Sequence, residues 1–134
     1  GMLHSSALAA PLSPSNDNPQ KGYTSRSGIA LLFDDEKKSV SLSTPGGNRL
    51  LLDDEAQGIT IEDQHGNSIL LSSEGITIKS TKALELKSGT AGKLEAGTTL
   101  DLTAAAALKV EGTASTDIKS GGVVKVAGSA LQLG

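Results

Sequence analysis

Apolar residues two positions apart recur every eight residues in the C-terminal half of the chain, and the residues between these pairs are mostly small or polar. Spacing of two puts both side chains on one face of a β-strand, whereas on a helix they would point in different directions. The pattern predicts short strands in eight-residue units, here called octads. The predicted inner residues are Ile76, Ile78, Leu84, Leu86, Leu94, Leu100, Leu102, Leu108, Val110, Ile118, Val124 and Val126.

A longer repeat precedes the octads. Residues 31–36 recur as 50–55 and 69–74, each copy 19 residues after the last, and an alternating triplet such as Ile59-Thr60-Ile61 follows each copy. A Gly-Asn pair stands before the second and third copies, where both residue types tolerate the positive φ of tight turns. This spacing predicts strand pairs joined by tight turns.

These patterns divide the chain into three predicted segments. Residues 1–22 hold three of the four Pro residues among Ser and Asn, a composition that cannot bury enough surface to order itself, so they are expected to form a disordered or extended lead-in. Residues 23–75 form an entry region of 19-residue β repeats. Residues 76–134 form an octad-repeat β-helical shaft.

One octad is too short to trace the closed outline of a β-solenoid, because three sides with corners need well over eight residues. Three identical chains around one axis close the outline if each supplies one strand per layer. A single chain with about two apolar residues per octad is nearly coreless, whereas three chains enclose a shared interior. The predicted fold is therefore all-β, an intertwined homotrimeric triple-stranded β-helix, or β-prism.

The residue between the two inner positions of each octad points outward and is charged. Its sign alternates from one octad to the next, so that a slip of one octad would bring like charges together. Alternation therefore predicts that these residues set the register between chains. They are Glu85, Lys93, Asp101, Lys109, Asp117 and Lys125.

Composition narrows the classes of function. The chain has one Phe, one Tyr and no Trp, so any interior must be thin and aliphatic. The net charge is −3 with both signs interspersed, which provides no basic stripe for nucleic acid and no polybasic patch for a membrane. With no Cys, stability has to come from packing and strand pairing rather than disulfides.

The few candidate chemical groups fit turns better than a reactive site. Asp34-Asp35-Glu36 and Asp53-Asp54-Glu55 follow apolar triplets, and the third copy of the repeat replaces Asp-Asp with Ser72-Ser73. His65 precedes a Gly-Asn turn and is expected on the rim. No Ser lies in a nucleophile elbow and no Gly-rich stretch forms a phosphate loop. We predict no catalytic, cofactor or metal site.

The octad pattern breaks at the end of the chain, where Leu131-Gln132-Leu133 arrives seven rather than eight residues after Val124. This predicts a blunt last layer at Gly134. The exposed apolar edge formed by Leu131, Leu133 and Gly134 would suit a separate tip-capping protein.

Three features together carry a family resemblance: an Arg-Ser-Gly entry in residues 23–28, Asp-Asp turns as in Phe33-Asp34-Asp35, and the octads. With residues 44–48, they resemble the C-terminal spike region of the VgrG family of type VI secretion systems, and are similar to the needles of contractile-tail phage baseplates. Most second apolar positions here are larger than the Gly of a strict Val-x-Gly octad, which indicates a somewhat fatter core.

The resemblance implies a homotrimeric spike shaft that is mounted on an injection tube and pierces a target envelope mechanically. It implies contact with tube and baseplate proteins through upstream domains that have no counterpart here, and transient contact with a target membrane. It also implies assembly in the bacterial cytoplasm and export to the extracellular space or the target cell envelope.

Two other functions remain open from the residues alone. Flat β-solenoid faces can bind ice or carbohydrate, and Thr60 and Thr77 are candidates for such a face, although the outward columns are charged rather than Thr ladders. The same shaft would serve equally well as an adhesin or fibre stalk.

Overall fold

The computed structural model describes residues 20–134, and its regular structure is a seven-stranded antiparallel sheet. Each strand pairs with the next one along the chain, so the strand order in the sheet is the sequence order. The all-β prediction is confirmed. The strands are β1 (Gln20–Thr24), β2 (Ala30–Asp34), β3 (Ser39–Ser43), β4 (Arg49–Asp53), β5 (Gly58–Glu62), β6 (Ser68–Ser72) and β7 (Gly75–Lys79).

The first strand begins inside the predicted lead-in. Residues 1–19 of that segment lie outside the described residues, but Gln20 and Gly22 belong to β1 and pair with Asp34 and Leu32 of β2. The Gln20 side-chain amide also donates a hydrogen bond to Asp34 Oδ2 at 3.2 Å. Pairing with β2 thus extends the sheet into residues 20–22, although the composition of the predicted lead-in does not favour a strand.

Three five-residue turns, at residues 25–29, 44–48 and 63–67, connect neighbouring strands at one end of the strands. We call this side of the sheet the long-turn edge. In the second, the Thr44 N–H donates to the Asn48 carbonyl at 3.0 Å and the Gly47 N–H donates to the Thr44 carbonyl at 3.1 Å. Gly47 and Gly66 have φ of 108° and 87°, a region that strongly favours glycine. The expected positive φ of these turns lies on the glycines.

The other edge carries the turns at residues 35–38, 54–57 and 73–74, which we call the acidic edge. Asp34 Oδ1 accepts hydrogen bonds from the backbone N–H groups of Glu36 at 3.0 Å and Lys37 at 3.1 Å. Asp53 Oδ1 accepts one from Ala56 at 3.1 Å in the second turn. The Asp residues of the repeat therefore act as turn acceptors, as Asx side chains commonly do.

Beyond β7 the backbone is extended and interrupted by regular bends. The bends fall at residues 81–82, 89–90, 97–98, 105–106, 113–114, 121–122 and 129–130, a constant spacing of eight. Within the described chain, none of the segments between them is paired into a strand. The chain divides into two units, with the second covering Ser88–Gly134.

No side chain in residues 20–134 is buried. A sheet of five-residue strands with no buried side chain lacks the hydrophobic interior on which a domain depends. The described chain therefore has strand pairing and turn hydrogen bonds but no core of its own. No helix among these residues is long and apolar enough to cross a membrane.

Candidate self-association surface

One face of the sheet, here called the apolar face, carries two columns of aliphatic or aromatic side chains. Residues directly opposite each other in neighbouring strands project on the same side, as Leu50 and Ile61 do. The column beside the long-turn edge contains Leu31, Leu42, Leu50, Ile61, Ile69 and Ile78, and the column beside the acidic edge contains Phe33, Val40, Leu52, Ile59, Leu71 and Ile76.

The opposite face, here called the polar face, has a different chemistry. Its central column alternates Leu with hydroxyl residues, as in Leu51 opposite Thr60. Beside it, the Arg49 guanidinium contacts Glu62 Oε1 at 2.8 Å through both Nε and Nη2, with both side chains partly exposed. Ion pairs retain hydration at a solvated surface, so the polar face is suited to contact water.

A groove of about 570 Å³ runs along the apolar face beside the long-turn edge. Leu42, Leu50, Ile61, Ile69 and Ile78 line it together with Leu84, the first inner residue after the sheet. The groove joins the apolar column of the sheet to the beginning of the octads.

All twelve predicted inner residues of the octads are exposed, from 49% at Val124 to 86% at Leu86. Pairs such as Leu100 and Leu102 lie in the extended segment that follows a bend, at the same distance from the bend in each unit. The structure thus gives these positions a common local geometry without bringing them together within one chain.

Two ion pairs involve the predicted outward charges. Lys87 Nζ lies 3.5 Å from Glu85 Oε1, and Lys93 Nζ lies 3.7 Å from Glu95 Oε2. Each pair joins residues two apart on the same extended segment, and all four side chains are highly exposed. That the six outward charges set the register between chains stays a prediction.

Leu131 and Leu133 are 62% and 85% exposed. The bends keep their spacing of eight through residues 129–130, whereas the apolar pair arrives one residue early. Leu133 therefore has the same position relative to its bend as Lys125 and the other outward charges have in the preceding octads.

The turn carboxylates contribute to structure. The side-chain amide of Asn67 and the backbone N–H of His65 donate to Asp63, and these hydrogen bonds lower the pKa of its carboxyl group. The backbone N–H of Lys37, followed by the Gln20 amide, lowers the pKa of Asp34. Within the described residues, no group of three His, Cys, Asp or Glu side chains is placed to hold a metal ion.

The long-turn edge contains a contact that sequence reasoning missed. Asn48 Oδ1 accepts the backbone N–H of Gln64 at 3.1 Å, and Asn67 Oδ1 accepts that of Thr81 at 2.9 Å. Each Asn therefore ties its own turn to the next segment at that edge, and the second contact reaches the first bend after the sheet. The recurrence of Gly-Asn every 19 residues was the available signal.

Sequence reasoning also missed the apolar face between β2 and β6, since the inner residues were predicted only from Ile76 onward. The signal was present, because the triplets Val40-Ser41-Leu42 and Ile59-Thr60-Ile61 have the same spacing of two as the octads.

A sheet with one apolar face, followed by exposed apolar pairs at regular spacing, defines a protein that is completed by association with other chains. The chain belongs to the family of the phage baseplate V C-terminal trimerisation domain, whose family model matches residues 39–130. The match confirms the resemblance to the VgrG-type spike C-terminal region and supports self-association as a homotrimer in a structural baseplate or spike component. No curated protein matches the chain.

Proposed function

We propose that this chain forms the shaft of a membrane-puncturing spike in a contractile injection apparatus, of the type VI or phage-tail kind, and acts mechanically rather than as an enzyme. The observation that carries the proposal is the match of residues 39–130 to the trimerisation-domain family. The exposure of every predicted inner residue in one chain supports it, because the described residues do not cover these side chains and association with further copies would remove them from water.

In this proposal three chains wind into a triple-stranded β-helix beyond the sheet. Each extended segment between bends supplies one side of a triangular layer, and the next segment of the same chain supplies the neighbouring side one layer higher. Backbone N–H and C=O groups then pair between chains, which accounts for segments that, in the described residues, pair with no other strand. Pairing closed around the axis leaves few free strand edges.

The spike role requires other proteins at both ends. Upstream domains connect the shaft to tube and baseplate proteins. At the other end, Leu131 and Leu133 form an apolar edge for a tip-capping protein, supported by the placement of Leu133 at an outward phase. The assembly forms in the bacterial cytoplasm and is exported to the extracellular space or target envelope, where it contacts the membrane transiently.

Two measurements test the proposal. Sedimentation equilibrium of the full chain should give a mass three times that of the 13.5 kDa monomer. Immunogold labelling of contractile particles from the source cells should then place the chain at the baseplate end. A monomer at micromolar concentration would overturn the trimer, and label on the cell surface away from any particle would support an adhesin instead.

A further inference from the structure

The apolar face of the sheet needs a partner that the described chain does not supply. Val40, Ile59 and Leu71 are half-buried by their neighbours within the sheet, while Leu42, Leu52 and Ile61 remain 40% to 46% exposed. Among the strands of the described residues, contacts are made only between consecutive strands of the sheet, so no strand packs over this face. The face is apolar along β2–β7.

Three observations identify the partner as further copies of the same chain. The trimerisation family begins its match at Ser39, the first residue of β3, so the matched region includes five of the seven strands. Ile76 and Ile78 are the last residues of the two apolar columns. The same two residues form the first inner pair of the octads. The polar face carries the Arg49–Glu62 pair and is the face that can stay in water.

We propose that the apolar face packs against the same face of two other copies around the three-fold axis, so that the trimer core begins at β2 and not at the first octad. The inference rests on the trimeric spike proposed above. The two columns then continue into the shaft interior through Ile76 and Ile78, and the groove beside Leu84 is filled by a neighbouring copy.

The proposal also sets where this core starts. In β1 the positions opposite Leu31 and Phe33 are Tyr23 and Lys21. Three Lys21 ammonium groups brought to the axis would repel one another and lose hydration. The apolar interior therefore starts at β2, and β1 lies at its rim.

Single cysteines test which face is inside. The chain has no Cys, so each variant carries one thiol of known position. Ile61→Cys and Thr60→Cys are adjacent in β5 and project from opposite faces. Each full-length variant is first confirmed as a trimer by sedimentation. It is then treated with a water-soluble maleimide, in buffer and in denaturant, and with a short bismaleimide crosslinker.

Because thiol modification requires access, we expect Ile61→Cys to react about tenfold or more slowly than Thr60→Cys in the native trimer, and at an equal rate in denaturant. Only Ile61→Cys should give covalent dimers with the short crosslinker. The neighbouring pair Leu52→Cys and Leu51→Cys repeats the comparison in β4 if Ile61→Cys prevents assembly.

The outcomes separate this inference from the proposed function. A trimer in which the two thiols of each pair react equally would overturn the assignment of the apolar face and leave the trimeric spike standing. Faster reaction of Ile61→Cys would reverse the assignment of the faces. A wild-type chain that sediments as a monomer would overturn both.

Discussion

Asp63 shows how a side chain at an exposed turn can hold the backbone. Its Oδ1 accepts the backbone N–H groups of His65 at 2.8 Å and Asn67 at 3.0 Å, and its Oδ2 accepts the Asn67 side-chain amide at 2.8 Å. Asn67 is in turn the acceptor for Thr81. One carboxylate thus orients the residue that ties the sheet to the segment beyond it.

The lowered pKa of Asp63 predicts a pH-dependent contribution to stability. Hydrogen bonds to the charged form hold the pKa below its ordinary value of 3.8. The charged carboxylate therefore stabilises the fold above pH 3.8, and this stabilisation is lost as the pH falls through the folded-state pKa. We expect Asp63→Asn to lower Tm at pH 7, and the difference from wild type to shrink below pH 3.8.

Thermal unfolding followed by circular dichroism from pH 7 down to pH 3 measures this difference. Asp54→Asn makes the same charge change at an exposed position of the acidic edge and serves as the control. If the gap between wild type and Asp63→Asn stayed constant over the whole range, the charge on Asp63 would not be the cause.

At the scale of the element, the acidic edge contains backbone strain at equivalent positions of the repeat. Lys38 and Gln57 have φ of 52° and 59°, and they occupy the last position of their turns. The third turn is shorter, and Gly75 adopts φ of 127° after it. The first two turns therefore put a long side chain in the left-handed region that favours glycine.

This strain predicts that a glycine stabilises the second turn. The left-handed conformation costs a non-glycine residue about 1–2 kcal/mol, and glycine loses about 0.5–1 kcal/mol through its greater freedom when unfolded. Gln57→Gly should therefore raise the free energy of unfolding by about 0.5 kcal/mol, measured per chain by denaturant titration. Glu55→Gly, in the same turn at a residue without positive φ, should lower it. The same sign for both variants would contradict the interpretation.

At the scale of the whole molecule, the sequence predicted the strand residues and turns that recur at a fixed spacing and depend only on nearby residues. Spacing of two identified strand residues as far as Ile76 and Ile78, and the Gly-Asn pairs located the turns at residues 44–48 and 63–67. The octad strands predicted beyond them stay a prediction. These features follow from alternation along a strand and from the φ preference of glycine, which act within a few residues.

The features that were missed depend on distant partners. The strand at Gln20 forms because it pairs with Asp34, and Thr81 meets Asn67 across 14 residues of sequence. The apolar face was overlooked because its residues become neighbours only when the six strands β2–β7 stand in register. The interior itself is formed between chains in our proposal, so no single chain displays it.

The outward charges test the proposed winding of three chains. In that winding the strand above a given strand belongs to another chain and is one octad later, so Lys109 lies between Asp101 and Asp117 of neighbouring chains. Lys109→Ala removes the attractions, whereas Lys109→Glu replaces them with repulsions in each of the three chains. We expect Lys109→Glu to lower the Tm of the trimer more than Lys109→Ala. The difference should correspond to about 1–3 kcal/mol per trimer, since each exposed pair contributes only a few tenths of a kcal/mol.

Calorimetry at low and high salt provides the measurement and its check. Because exposed charges are screened over about 3 Å at 1 M salt and about 10 Å at 0.1 M, the difference between the two variants should shrink at the higher concentration. Lys82→Glu makes the same charge reversal at a bend outside the column, and it should leave Tm nearly unchanged. Equal effects of Lys109→Glu and Lys109→Ala would mean that unlike charges do not meet between chains, and register would then have to come from the shapes of the inner side chains.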